Sequence, residues 1–279
     1  MEKTEAVEAA EELVEEKKAS PFICRPGDKV IYEKNKMSGK VGQYFVKQRD
    51  VMAVDALRQY TYLNAHMIGL ILYRNLNFPT KAVKELLAKL TKNNLVSRLR
   101  IQYTDAFGKE HMSSYIYQVQ DKTLKPMQKN AAPDSNTIYS YLAYNQFHIA
   151  ISQTYQTRNF VYSKGIGPVD GTLAITSQTK NATFSIVTAR SNDEDLWTRL
   201  KEVNASEGKN IIILCENELH ALNIEYIRSS MEGAEEKSVF YLTDFATTNE
   251  FPLQNLIHVL PGCKEYEIVS IPVDGRKNV

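Results

Sequence analysis

Residues 79–103 read PTKAVKELLAKLTKNNLVSRLRIQY, and this stretch decides the fold. Val83, Leu86, Leu87 and Leu90 recur at i, i+3, i+4 and i+7, the spacing of one buried helix face. Pro79 is the residue type favoured in a first helical turn, and Asn93-Asn94 stops the helix. The period then changes. Leu95–Tyr103 predicts a strand, with Ile101, Gln102 and Tyr103 at its β-forming end.

Working outward, the same grammar continues on both sides. Upstream, Asp50 is a candidate N-cap for a helix running from Val51 through Leu57. Thr61 or Asn64 caps a second helix carrying Met67, Ile68, Leu70, Ile71 and Leu72. Downstream, Ser113–Val119 predicts a second strand, and Thr104–Met112 between the strands holds Asp105, Gly108 and Lys109 as a polar hairpin tip. Three helices followed by a two-stranded hairpin is the element order of a winged helix-turn-helix.

Charge sharpens that reading. The formal net charge over 279 residues is only +1, which argues against a nucleic-acid binder until it is divided by segment. Residues 45–125 hold thirteen basic and six acidic groups, net +7, whereas residues 160–279 hold eleven basic and seventeen acidic, net −6. The third helix region carries Lys81, Lys84, Lys89 and Lys92 against Glu85 alone, and the wing is expected to carry Arg98, Arg100, Lys109 and His111. Lysines on a helix that fits the major groove neutralise phosphates, so the expected ligand is double-stranded DNA. The third helix shows no outstanding base-reading Asn, Gln or Arg, so the expected binding is weighted to the backbone. The expected DNA-binding residues are therefore Lys81, Lys84, Lys89, Lys92, Arg98, Arg100 and Lys109.

The rest of the chain divides around this module. Residues 1–44 form an acidic arm and a Pro/Gly-broken linker with one short strand at Lys29–Tyr32. Residues 45–120 are the winged helix. Residues 121–135 (DKTLKPMQKNAAPDS) have no apolar periodicity and form a second linker, leaving 136–279 as an α/β domain. In that domain Ile138–Gln153 predicts a helix, and Phe160–Tyr162 a short strand. Gly171–Thr176 and Ala182–Thr188 predict a hairpin, and Asp193–Val203 a helix with Leu196, Trp197 and Leu200 inward. Asn210–Leu214 (NIIIL) is a buried central strand, followed by a helix over Glu216–Met231 with Leu219, Leu222, Ile224 and Ile227 apolar. Ser238–Leu242 and Tyr266–Ile271 complete a sheet of about five strands. The fold class is α+β, a winged helix followed by an α/β domain.

Several motifs invite chemistry and are outweighed. Gly165-Ile-Gly167 precedes a strand rather than a helix N-terminus, so no dinucleotide site is expected. The five histidines never lie within five positions of one another, which leaves no zinc spacing. Cys24, Cys215 and Cys263 are odd in number and far apart, fitting a reducing cytoplasm rather than a disulfide framework. Glu216, Glu218 and His220 follow the NIIIL strand, where α/β pockets commonly form. The sixteen tyrosines, among them Tyr139, Tyr141 and Tyr144, read as packing residues. No apolar run is long enough to span a bilayer and no signal peptide is read, so no membrane partner is expected.

With the basic winged helix, the linker, the 138–153 helix and the run Gly167-Pro-Val-Asp170-Gly171-Thr-Leu-Ala-Ile175 in place, the chain resembles replication-relaxation-type proteins of Gram-positive plasmids and conjugative elements. The resemblance covers residues 45–245. It implies a second domain similar to restriction-endonuclease-like folds, with Asp170 at the position of the first metal-binding acid. The next strand of such a nuclease carries an acid, any residue and a lysine, but Phe184–Arg190 holds no Asp or Glu. One carboxylate does not hold the Mg²⁺ that activates water. The expectation is thus a non-enzymatic DNA-binding accessory protein of replication, mobilisation or conjugative transfer, with no catalytic residue, metal or cofactor. Its acidic domain is expected to contact a relaxase, a replication initiator or a second copy. The alternatives are a metal-dependent nuclease using Asp170 with Glu216, and a protein-interaction module that binds no DNA.

Overall fold

In the computed structural model, residues 20–33, 45–105, 107–120, 133–154, 159–176, 181–206, 208, 210–249 and 251–271 are described. They form a mixed α+β protein with six α-helices and two sheets. The chain divides into two compact units, one of residues 24–149 and the other of residues 150–279 together with the segment ending at Ile23.

The first unit starts with β1 (Lys29–Tyr32), the strand expected there. Helix α1 (Gln48–Tyr60) begins earlier than Asp50 signalled. Asp50 is not the cap: it sits inside the first turn and its carboxylate accepts from the Lys47 backbone N–H at 2.7 Å. After β2 (Leu63–Asn64), Asn64 caps α2 (Ala65–Leu76) by accepting from Met67 N–H at 2.9 Å. A single 3-10 turn, Thr80–Ala82, leads into α3 (Val83–Lys92), so the helix proper starts four residues after Pro79. The strands follow as β3 (Val96–Thr104), β4 (Glu110–Met112) and β5 (Ile116–Val119). The expected tip was too long, because β4 lies within it and pairs antiparallel with the end of β3. The sheet runs β1-β3-β5-β2, with β4 on the outer half of β3. Its core is Leu57, Met67, Ile68, Leu72, Leu87, Leu90, Val96, Leu99 and Ile101, all 1% exposed or less.

Helix α4 (Ser135–Thr154) corrects the expected division at 121–135, of which residues 121–132 lie outside the described residues. The division falls at 149/150, inside α4, and the helix as far as Ile149 belongs with α1–α3. The physical reason lies where α1 ends. Thr61 has a positive φ of 62° there, and in the turn the Tyr60 carbonyl accepts from Tyr62 N–H at 2.7 Å. Asn145 of α4, fully buried, donates to the carbonyls of Tyr60 and Tyr62, each at 2.8 Å. Apolar and polar residues alternate around α4 without a stripe, and Leu142 to Ile149 is buried throughout, as befits a helix covered on all sides. Tyr139 and Tyr144 are buried, and Tyr141 packs edge-on against Tyr62, so the tyrosines here are packing residues.

The second unit holds a seven-stranded sheet, one strand more than the six ranges read from the sequence. β6 (Asn159–Tyr162), β7 (Gly171–Thr176) and β8 (Asn181–Thr188) form an antiparallel meander. β9 (Asn210–Cys215) and β10 (Ser238–Thr243) continue parallel to β8, connected through α5 (Leu196–Ala205) and α6 (Glu218–Arg228). β11 (Leu256–Val259) and β12 (Tyr266–Val269) add an antiparallel edge. Strand β9 is buried from Ile211 to Cys215, as its unbroken apolar run requires. Helices α5 and α6 start later than expected, because Asp193 and Glu216 lie in turns that precede them. Ala221 and Ile224 of α6 face the core, whereas Leu219 and Ile227 are exposed.

Candidate nucleic-acid interface

Helix α3 separates its residues cleanly. Val83, Leu86, Leu87 and Leu90 are buried, at most 3% exposed, while Lys84, Lys89 and Lys92 are exposed on the opposite side. Lys81, in the turn before α3, is exposed as well. Among the described residues none of these four lysines is in an ion pair. Lys89 and Lys92 in the last turn also suit the negative end of the helix dipole, a structural use that does not consume their charge. The arrangement is a rigid helix, anchored by its apolar face, that presents cations to solvent.

The wing tip is a braced turn. Asp105 Oδ1 accepts from the backbone N–H of Phe107 at 3.0 Å and of Lys109 at 2.8 Å. Its other oxygen lies 2.7 Å from His111 Nε2. The hydrogen bonds from His111 and from the Lys109 and Phe107 amides hold the Asp105 carboxyl below the ordinary carboxylate range. Gly108 takes φ 79°, a left-handed conformation that favours glycine, and donates to Asp105 O at 3.0 Å. Lys109 is exposed beside it.

Arg98 and Arg100 lie on a wing strand, as expected, and away from the hairpin tip. Both lie in the inner half of β3, where Arg98 is opposite Tyr117 and Arg100 opposite Ile31. Arg98 Nε is 2.8 Å from a Glu33 carboxylate oxygen, and its guanidinium sits 4.6 Å from the centre of the Tyr115 ring. Arg100 Nε donates to Ser113 O at 2.9 Å, with its guanidinium 4.9 Å from the same ring. Alternation puts side chains two apart on one sheet face, and here that face supplies an aromatic for both cations to cover. The structure brings Lys81, Lys84, Lys89 and Lys92 together and leaves Lys109 on the hairpin. The two arginines are sheet-bracing groups.

Phe107, 79% exposed at the hairpin apex, is a feature the sequence reading passed over. The available signal was an aromatic inside an otherwise polar tip.

In the second unit, the position expected for a nuclease's first metal acid is occupied by internal cations. Asp170 precedes β7 and is 2% exposed. Its carboxylate lies 2.9 Å from Lys164 Nζ and 3.0 Å from an Arg199 nitrogen, and accepts from Thr188 N–H at 2.6 Å. Burial alone would raise this carboxyl, and Lys164 with Arg199 reverses the effect and holds it down. Glu216 is engaged separately: it accepts from the N–H and hydroxyl of Ser191 at 3.1 and 2.5 Å and lies 3.8 Å from His220 Nδ1. Among the described residues no group of three His, Cys, Asp or Glu side chains is placed to hold a metal ion. Cys215 is fully buried and its thiol is pushed well up by burial, the opposite of what an attacking thiolate needs. Sequence reading also missed a bidentate pair, Arg190 with Asp244 at 2.6 and 2.8 Å, both side chains fully buried. Ser20 donates its hydroxyl to the same carboxylate. These partners lie 224 and 54 positions from Asp244, so no local motif announces them.

No protein-family model and no curated protein matches the chain. Among solved structures, the restriction endonuclease FokI superposes at 12% identity and a TM-score of 0.27, over 71% of this chain and 42% of that one. The chain thus spans less than half of that protein's length, and so loose a superposition establishes no common fold. Among the described residues no helix is long and apolar enough to cross a membrane.

Proposed function

We propose that the chain is a DNA-binding accessory protein and that its first unit acts as a winged helix gripping duplex phosphates. The observation that carries this reading is the exposed lysine face of α3 and its leading turn, Lys81, Lys84, Lys89 and Lys92, opposite a fully buried apolar face. The order α1, β2, α2, α3, β3 and the β4/β5 return strands supports it. In this reading α3 lies along the major groove with its lysines on the phosphates, and Lys109 reaches the backbone from the wing. Contacts of this kind give affinity and register but little base specificity. The setting, replication, mobilisation or transfer of a plasmid or other mobile element, rests on the resemblance carried by residues 45–245 and is part of the proposal.

The second unit is read as the partner-binding half. A groove of about 1120 Å³ between α5 and α6 is lined by Trp197, Ile227 and Met231 and by Glu232, Glu235 and Glu236 against the single cation Lys201. Its charge fits a basic surface on another protein, such as a replication initiator or relaxase, better than a second copy of the same acidic groove. The nuclease alternative is disfavoured by the two cations held against Asp170.

The test of the DNA reading is a titration of the full chain against a duplex of about two helical turns, repeated across salt concentrations. Five lysine–phosphate contacts give a log–log slope near −4 to −5, since each contact contributes about −0.9. Replacing Lys81, Lys84, Lys89 and Lys92 by Ala should remove about three to four of those units. A slope near zero, or one unmoved by the replacement, overturns the assignment.

A further inference from the structure

We infer that Phe107 is a wedge that enters the minor groove and parts adjacent base pairs when the wing meets duplex DNA. The inference rests on the DNA-binding reading above and adds to it a deformation of the duplex.

Three observations point there. First, Phe107 gives the fold almost nothing: at 79% exposure its ring keeps most of its apolar surface in water, where burial would be favourable. Second, the turn that presents it is held in place. The Asp105 carboxylate accepts from the N–H groups flanking Gly108 in sequence, Phe107 at 3.0 Å and Lys109 at 2.8 Å. It also meets His111, whose ring stacks on Tyr103 at 5.4 Å. A side chain on a pre-ordered tip loses little conformational freedom on binding. Third, the local charge suits an approach to phosphate. Asp105 is turned into the hairpin and spent on these hydrogen bonds, while exposed Lys109 stands two residues from the ring.

The apex is also too small for a protein-docking surface. Among the described residues that follow it, Gly108, Lys109 and Glu110 are exposed and non-apolar, so the ring does not open a wider apolar patch on that side. A stable protein interface needs roughly 800 Å² per partner around an apolar centre. A single apolar side chain is sufficient for a minor-groove wedge, which separates one base step and kinks the duplex. Flexible pyrimidine–purine steps are where such unstacking costs least.

Parting a base step unwinds the helix, so the test needs no knowledge of a binding site. Closed circular plasmid is relaxed by a topoisomerase in the presence of the full-length protein, and the topoisomers are resolved after the protein is removed. The wild type should leave a linking-number deficit that grows with occupancy. Phe107→Ala, compared at equal occupancy, should leave none, and should bind about tenfold more weakly with an unchanged salt slope. Lys109→Ala should unwind like the wild type at equal occupancy while its salt slope falls by about 0.9. Thermal melting checks that both variants fold, as their exposed positions lead one to expect. Salt-dependent binding without any unwinding, or unwinding that persists in Phe107→Ala, overturns the wedge and leaves DNA binding standing. Absence of binding by the wild type even at low salt overturns both.

Discussion

Asp170 and Asp244 are both buried carboxylates at strand ends of one sheet, and each is matched by cations rather than open to solvent. Asp170→Asn would leave Lys164 and Arg199 without their shared anion, so its effect should appear in stability and not in catalysis. Incubation of plasmid DNA with Mg²⁺ or Mn²⁺ should give no cleavage with wild type or variant; cleavage by the wild type that Asp170→Asn abolishes would restore the nuclease reading. Asp244→Ala should destabilise the chain by about 3–5 kcal/mol, because it strands the fully buried Arg190 guanidinium. The double variant Arg190→Met, Asp244→Ala should recover part of that loss, since removing both charges also removes their desolvation cost. Urea titrations of the three proteins measure the difference, and a double variant no better than Asp244→Ala would contradict the pairing. Neither pair was legible in the sequence. Asp170 drew notice through a motif, but Lys164 and Arg199 reach it only once the loop before β7 and helix α5 have folded.

At the scale of elements, α1 and α4 are joined by a contact with a built-in pH dependence. His148 Nδ1 lies 2.9 Å from the Tyr60 hydroxyl, and burial lowers the His148 pKa to about 4. Its unfolded value is near 6.5, so the unfolded chain binds the extra proton first. The associated stability is fully present above pH 6.5, falls as the pH drops through that value, and levels off below about 4. The full span is about 3 kcal/mol. Amide exchange in α1 and α4 of the full chain should therefore accelerate between pH 7.5 and 5 beyond the intrinsic pH effect, and His148→Gln should flatten that dependence. An unchanged dependence in the variant would assign the effect elsewhere. Elements with strong local signals were readable from sequence. The i, i+3, i+4, i+7 leucines placed α3, and the NIIIL run placed β9. The four-residue β11 lacked a clear alternation and went unseen. Helix α4 was found but assigned to the wrong unit, because a chain break in periodicity marks where order stops and says nothing about which side a following helix packs on.

At the scale of the whole molecule, a net charge of +1 conceals a basic stretch at residues 45–125 and an acidic one at residues 160–279. The lysine face of the candidate interface was legible because helical period and charge are both local properties. Arg98 and Arg100 show the limit: a count of cations does not say which are already paired, and Glu33 and Tyr115 come to them only through the sheet. Duplex affinity of the full chain, titrated against salt, should fall with a log–log slope near −4 to −5, and Ala replacement of Lys81, Lys84, Lys89 and Lys92 should flatten it by about three to four. A wild-type slope near zero, or the same steep slope after the four lysines are gone, would contradict the account.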